Sequence, residues 1–398
     1  MTRAGDSFEG THPRSGGVIT LPEQFRRQQA ATWPGVGTLS TSPWVRPSDW
    51  LTLSTPADGT FYGLKAITLD DGNFAAVNCT TSSGTYHVGW GDGNTSDVAS
   101  GTAAQHWYDS TAISAGTLST RGYKQVIVTI TANTGSLTGI NLQAKNTTTG
   151  LGTYETGWLD IAVSATSLTS LTVGASSLTV RVGMLENVTL LNNSITSMNY
   201  LFGNCYKLSN VSLNTAAVTS MSSMFNYCYS LVSVPLFNTA AVTSMSSMFQ
   251  YCSSLVSVPL FNTAAVTSMS SMFYYCSSLV SVPLFNTAAV TSMSSMFQYC
   301  SSLASVPALV TSNAVNNSSS FTNMFSGCPS LASGALSGTQ YAISYSGCKL
   351  SEAGIVAIFN ALGTASGTPT ITVSGNYGYA ALTTGDKAIA TGKGWTIA

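Results

Sequence analysis

Between Asn214 and Leu309 the chain repeats nearly the same string four times, N-T-A-A-V-T-S-M-S-S-M-F-x-Y-C-x-S-L-x-S-V-P-L-F, beginning at Asn214, Asn238, Asn262 and Asn286. The equivalent cysteines, Cys228, Cys252, Cys276 and Cys300, fix the period at 24 residues. A unit this short cannot bury an apolar face by itself, so it must stack on its neighbours as a solenoid. Such a stack offers a long regular surface and no enclosed cleft. The expectation is therefore binding rather than catalysis.

The remaining length calls for flanking modules, because 398 residues exceed one ordinary domain. Charged residues make up only 7% of the chain, against roughly 25% in ordinary proteins. From Leu208 to Cys348 there is no Asp, Glu, Lys or Arg at all, so recognition there cannot be ionic. With a net charge of −1 and no basic cluster, neither nucleic acid nor an anionic membrane surface is an expected partner. The first residues lack the apolar core of a secretory signal, and no apolar run is long enough to cross a bilayer. No membrane insertion is expected. Seven of the eight cysteines (Cys205, Cys228, Cys252, Cys276, Cys300, Cys328 and Cys348) mark rungs of the stack. They fit buried thiols in a reducing compartment. A disulfide ladder is the alternative, since rungs ~4.8 Å apart come near the ~5.5 Å that bridged Cα atoms require.

Along the chain, residues 1–45 are rich in Gly, Pro and Arg and carry one short helical signal at Pro22–Ala31. Too poor in apolar residues to form a core, they are expected to act as a docking arm through Phe25, Arg26, Arg27 and Trp33. Residues 46–150 change to short alternating runs such as F-Y-G-L-K-A-I-T-L and Y-K-Q-V-I-V-T-I, which predict a β-sandwich. Gly91-Asp92-Gly93-Asn94 after Trp90 supplies the turn residues of a tight hairpin. Residues 151–349 form the solenoid. Degenerate triplets (Leu168, Leu171, Val173; Leu185, Val188, Leu190; Leu208, Val211, Leu213) lead into Leu231, Val234 and Leu236, and predict a parallel sheet with an inward row of Leu and Val. The return segment places Val218, Met221, Met224 and Phe225 close to helical spacing, which predicts a short helix or 3₁₀ stretch behind each strand. Residues 350–398 read helix, strand, helix, strand, an αβαβ cap over the last open rung. The fold expected is mainly β with short helices.

Two resemblances sharpen this reading. W-G-D-G at Trp90–Gly93, H-W-Y at His106–Tyr108 and G-Y-K-Q-V-I-V-T-I from Gly122 resemble the PKD-type immunoglobulin-like domain. The repeat F-N-T-A-A-V-T-S-M-S-S-M-F-x-Y-C-x-S-L resembles the BspA-type leucine-rich repeat of bacterial and phage surface proteins. The chain end is similar to the ends of leucine-rich tail proteins of tailed phages. The resemblance implies a non-enzymatic virion protein, a tail fibre or tail-associated adhesin. Its arm would dock on other virion proteins and its solenoid would bind a host-surface glycan or protein. By analogy with phage fibres it implies a homo-oligomer, a trimer. An architectural virion protein, such as a head decoration or tail spacer, and a bacterial leucine-rich-repeat adhesin are the alternatives. The missing secretion signal suits assembly in a host cytoplasm.

Candidate chemistry is sparse. His12, His87 and His106 stand in no metal or nucleophile spacing, and no cofactor is expected. Asp70, Asp71, Asp92 and Asp97 could converge on Ca²⁺, or else bond their own turns. The pair Met221 and Met224 and its repeats read as core filler. More telling is a position that varies where all else repeats: Asn226, Gln250, Tyr274 and Gln298, next to one tyrosine per rung, Tyr227, Tyr251, Tyr275 and Tyr299. Tyrosine combines an apolar ring face with a hydroxyl, which suits neutral partners such as sugars. Cladding that packs between rungs is the competing reading of this column.

Overall fold

The alternating runs of residues 60–141 become antiparallel strands with one buried face, as a period of two dictates. The computed structural model describes residues 44–67, 73–144, 154–174, 180–311 and 320–398. The arm, with Phe25, Arg26, Arg27, Trp33 and the Pro22–Ala31 signal, lies outside the described residues, as do Asp70 and Asp71.

The first strands are β1 (Thr60–Ile67), β2 (Phe74–Thr81), β3 (Thr85–Gly89), β4 (Thr95–Ala99), β5 (Ala103–Trp107), β6 (Lys124–Ala132) and β7 (Leu137–Asn141). They continue as β8 (Tyr154–Glu155), β9 (Trp158–Ser164), β10 (Ser170–Thr172), β11 (Val180–Arg181), β12 (Asn187–Leu190) and β13 (Asn210–Leu213). Two sheets face each other, in the orders β13-β12-β9-β1-β6-β3-β4 and β10-β7-β2-β5. Phe61, Val88, Val128 and Ile130 of the first and Val77, Cys79 and Ile140 of the second share one core. The hairpin between β3 and β4 forms as its turn residues require, with the Asn94 amide donating to the Asp92 carboxylate at 3.0 Å.

Sandwich and solenoid share their sheets. Strand β9 pairs antiparallel with β1 on one side and parallel with β12 on the other. In the second sheet β10 pairs parallel with β7. Both sheets thus run on into the first rungs, and Trp44–Ala398 is one compact unit. Two ion pairs gather here: Arg46 bridges to Asp160 at 2.9 Å, Arg121 pairs with Glu186, and both guanidinium groups lie over the Trp50 ring.

Beyond β13 the structure departs from the continuous parallel sheet that the Leu triplets predict. Only single bridges join later rungs on this side, among them Ser281 to Ser305, with scattered amide bonds such as Val256 N–H to Val232 O at 3.0 Å. Proline is the cause. Thr189 pairs with Ser212 in β12–β13, and one repeat further on Pro235, Pro259, Pro283 and Pro307 occupy that place without an N–H to donate. The inward row also changes. Leu231, Val234 and Phe237 are buried, whereas Leu236, Leu260 and Leu284 point outward at 67, 59 and 61% exposure. Phenylalanine therefore takes the core position expected for leucine, and Phe237, Phe261 and Phe285 stack 5.9 and 6.5 Å apart along the axis.

Nor does the return segment form a helix. Its alternate amides bond to the next rung: Met221 to Ser244 O, Ser223 to Ser246 O, Phe225 to Met248 O and Tyr227 to Gln250 O, at 2.8–3.0 Å. Residues between them close tight turns within the rung, such as Cys228 N–H to Phe225 O at 3.0 Å. Helix is prevented because Ser223 and Tyr227 are left-handed, with φ of 56 and 63°. Met221 and Met224 do fill the core, fully buried.

All eight cysteines are buried, free thiols, so no disulfide ladder exists. Each of Cys228, Cys252, Cys276, Cys300 and Cys328 donates to a phenylalanine carbonyl of the preceding rung at 3.0–3.2 Å. Burial pushes the thiols up, to about 12 for Cys79, Cys328 and Cys348, which keeps them protonated and inert.

The last residues fold as β14 (Ile343–Ser344), α1 (Glu352–Ala361), β15 (Thr370–Thr372), α2 (Thr384–Thr391) and β16 (Thr396–Ile397). The three strands make a parallel sheet, in the order β14-β15-β16. Ser351 caps α1, and Thr383 with Asp386 forms a reciprocal cap on α2. Among the described residues no helix is long and apolar enough to cross a membrane.

Candidate binding surface on the solenoid

Each rung turns a corner at a left-handed residue, and these corners line up as Asn204, Tyr227, Tyr251, Tyr275, Tyr299 and Gly327, with φ between 59 and 75°. Asparagine and glycine, at the two ends, adopt this conformation readily; tyrosine does not, at a cost of about 1 kcal/mol per residue. The four rings stack in return. Consecutive centroids are 4.5, 5.0 and 4.2 Å apart and the planes lie within 29° of parallel. Three such pairs contribute about 0.5–1.5 kcal/mol each beyond the burial of the rings, so stacking by itself roughly offsets the strain.

The stack settles what the ladder can present. Ring faces meet ring faces, so the flat apolar surfaces expected for sugar contact are largely consumed between rungs, and edges and hydroxyls remain. Tyr227, Tyr251 and Tyr275 are half-buried and Tyr299 is 37% exposed. Burial raises the hydroxyls of Tyr227, Tyr274 and Tyr275 above their usual range, which keeps them neutral hydrogen-bonding groups. Tyr229 and Tyr206, stacked 5.4 Å apart, extend the aromatic edge toward the sandwich. Sequence reasoning passed over these two because they stand outside the repeating tyrosine column.

The variable position is adjacent but unevenly placed. Asn226 is buried and donates to Gln250 Oε1 at 2.8 Å, whereas Gln250, Tyr274 and Gln298 are half-buried. On the same arc a continuous row of serine hydroxyls runs between rungs, with Ser222 to Ser244, Ser246 to Ser268 and Ser270 to Ser292 at 2.6–2.7 Å. The whole side is polar and uncharged.

His12 lies outside the described residues, and the remaining candidates within them have structural partners. Asp92 accepts from His106 Nε2 at 2.6 Å, and His106 stacks on Trp90. Burial works against the Asp92 charge, but bonds from His106 and Asn94 prevail and hold the carboxyl below its usual range. Asp97 is engaged by Asn133 at 2.7 Å and His87 at 2.9 Å. Among the described residues no group of His, Cys, Asp or Glu is arranged to hold a metal ion.

Residues 185–280 and 232–337 match the model of a family described as Mycoplasma protein of unknown function, DUF285. The match falls on the solenoid and leaves the sandwich and the last residues uncovered. No curated protein matches this chain.

Proposed function

We propose that this chain is a non-enzymatic adhesin of a tailed-phage particle, a tail fibre or tail-associated protein whose solenoid attaches to a host cell surface. In this reading the sandwich is an immunoglobulin-like spacer of the PKD kind, the arm docks on other virion proteins and residues 350–398 cap the stack. The observation that carries it is tyrosine held at four successive strained corners. Backbone strain gathers at functional sites, and here it keeps a row of hydroxyls on a side that has no charge.

Attachment through such a surface is expected to change less than about twofold between low and high salt, since there is no Coulomb attraction to screen. The double change Tyr251→Phe with Tyr275→Phe keeps the ring stack and removes two hydroxyls. It is expected to weaken adsorption to host cells several-fold, while the thermal melt falls only slightly as hydroxyl contacts with neighbouring tyrosines are lost. Steep salt dependence, or full adsorption by the double variant, would place attachment elsewhere on the chain. A bacterial surface adhesin would use the same ladder, and the matched family's description names Mycoplasma. Finding the chain in purified phage particles, rather than on a cell envelope, decides between the two.

The exposed row Leu236, Leu260 and Leu284, flanked by exposed Val256 and Val280, favours a second reading, an architectural virion protein whose copies pack through this stripe. A second copy can lay the same apolar stripe against this one, face to face. Changing all three to Ser should then lower the particle mass measured by light scattering. An unchanged mass removes the architectural role from this stripe.

A further inference from the structure

One ring of the aromatic cluster is turned differently from the rest. Tyr274 stands at 78, 67 and 85° to Tyr251, Tyr275 and Tyr299, with centroids 5.4, 4.8 and 5.9 Å away. Those three rings spend their faces on one another, so what they offer Tyr274 is their edges. Tyr274 therefore lays one face across the edges of the stack and turns the other outward, a flat aromatic plate lying along the axis. It is half-buried.

Folding of the rung does not require this residue. The units beginning at Asn238 and Asn262 differ only there, with Gln250 in one and Tyr274 in the other, and Gln298 follows in the next. The plate is thus flanked by an amide one rung to either side, the two about 10 Å apart at rung spacing. Gln298 has no side-chain partner among the described residues, and Gln250 uses only its Oε1. An open aromatic plate with an amide at each end and no charge nearby suits a flat ligand with a C–H face and hydroxyls at its rim. It does not suit an apolar peptide side chain, which needs enclosing walls.

We infer that Tyr274, Gln250 and Gln298 form a subsite for a neutral pyranose unit of a cell-surface glycan, with the sugar's C–H face on the Tyr274 ring and its hydroxyls bonded to the two amides. This rests on the reading of the solenoid as an attachment surface and names the ligand of that surface.

The test uses the full chain and ligand-observed saturation-transfer NMR. Methyl glucosides, methyl galactosides and N-acetylglucosamine serve as neutral probes, with sialic acid as the anionic control. At least one neutral pyranose is expected to receive saturation, strongest at the C–H protons of one ring face. Tyr274→Gln, which makes the unit a copy of its neighbour and so preserves the fold, is expected to lower that signal at least tenfold, and Gln298→Ala several-fold. Absence of any neutral binder, an undiminished signal from Tyr274→Gln, or equal saturation of sialic acid overturns the subsite. Adsorption assays separate it from the broader reading. If Tyr274→Gln adsorbs normally while Tyr251→Phe with Tyr275→Phe does not, the subsite fails and solenoid attachment stands. If neither change affects adsorption, attachment itself lies elsewhere. If Tyr274→Gln loses adsorption that no saccharide inhibits, the partner is a protein patch and the glycan assignment falls.

Discussion

Deleting the 24-residue unit Asn262–Phe285 is expected to leave a folded, shorter solenoid, whereas the single change Leu255→Asp is expected to unfold it. The deletion rejoins Phe261 to Asn286 in register, so each surviving rung keeps neighbours of the same kind. Phe249 and Phe297 would meet as each now meets Phe273, both at 5.7 Å. Leu255, by contrast, is fully buried. Its replacement forfeits about 2–5 kcal/mol of packing and leaves a carboxylate unpaired among Leu231, Leu279 and the cysteines, for a total of several kcal/mol. That approaches the whole ~5–15 kcal/mol stability of an ordinary domain. Thermal melts of the two variants decide the matter; a deletion as damaging as the point change would mean that the rungs are not interchangeable.

The change Gly378→Ala is expected to be comparably severe but confined to one end. A Cβ there would lie 1.8 Å from the Glu352 amide nitrogen and 2.2 Å from the Ser351 carbonyl carbon, both backbone atoms at the start of α1. Gly378 N–H also bonds to Leu350 O at 3.0 Å, so the turn at Gly378 and the start of α1 cannot separate to make room without breaking that contact. The overpacking is worth about 3 kcal/mol or more. Hydrogen exchange should report it as lost protection across residues 350–398 with little change between Val218 and Cys300. Uniform loss along the chain would show that the last residues and the repeats unfold as one cooperative body.

Much of this architecture was legible in the repeats. The cysteine period, the buried Leu231 column and the hairpin at Asp92 follow from spacing and turn chemistry. Three features did not. Val218, Met221, Met224 and Phe225 carry a helix-like spacing because they face one core, yet two left-handed residues per rung forbid the helix. Nothing in Ser223 or Tyr227 announces that conformation; the signal lay in aligning Tyr227 with Asn204 and Gly327, and Ser223 with Asn323, residues that favour it. Pro235 was visible, but its effect depended on knowing that Ser212 donates within a ladder. The consumption of the tyrosine faces is a property of neighbouring rungs together, and no single unit contains it.

The amide bonds between rungs run parallel to the axis of the stack, and four rungs are nearly identical in length and sequence. A load applied along that axis pulls those bonds directly apart instead of shearing them, one rung at a time. Each rung released frees about 80 Å of extended chain while its neighbours stay closed. The solenoid is thereby a spring with equal, countable steps, able to lengthen severalfold under tension and to recoil rung by rung when the tension is removed.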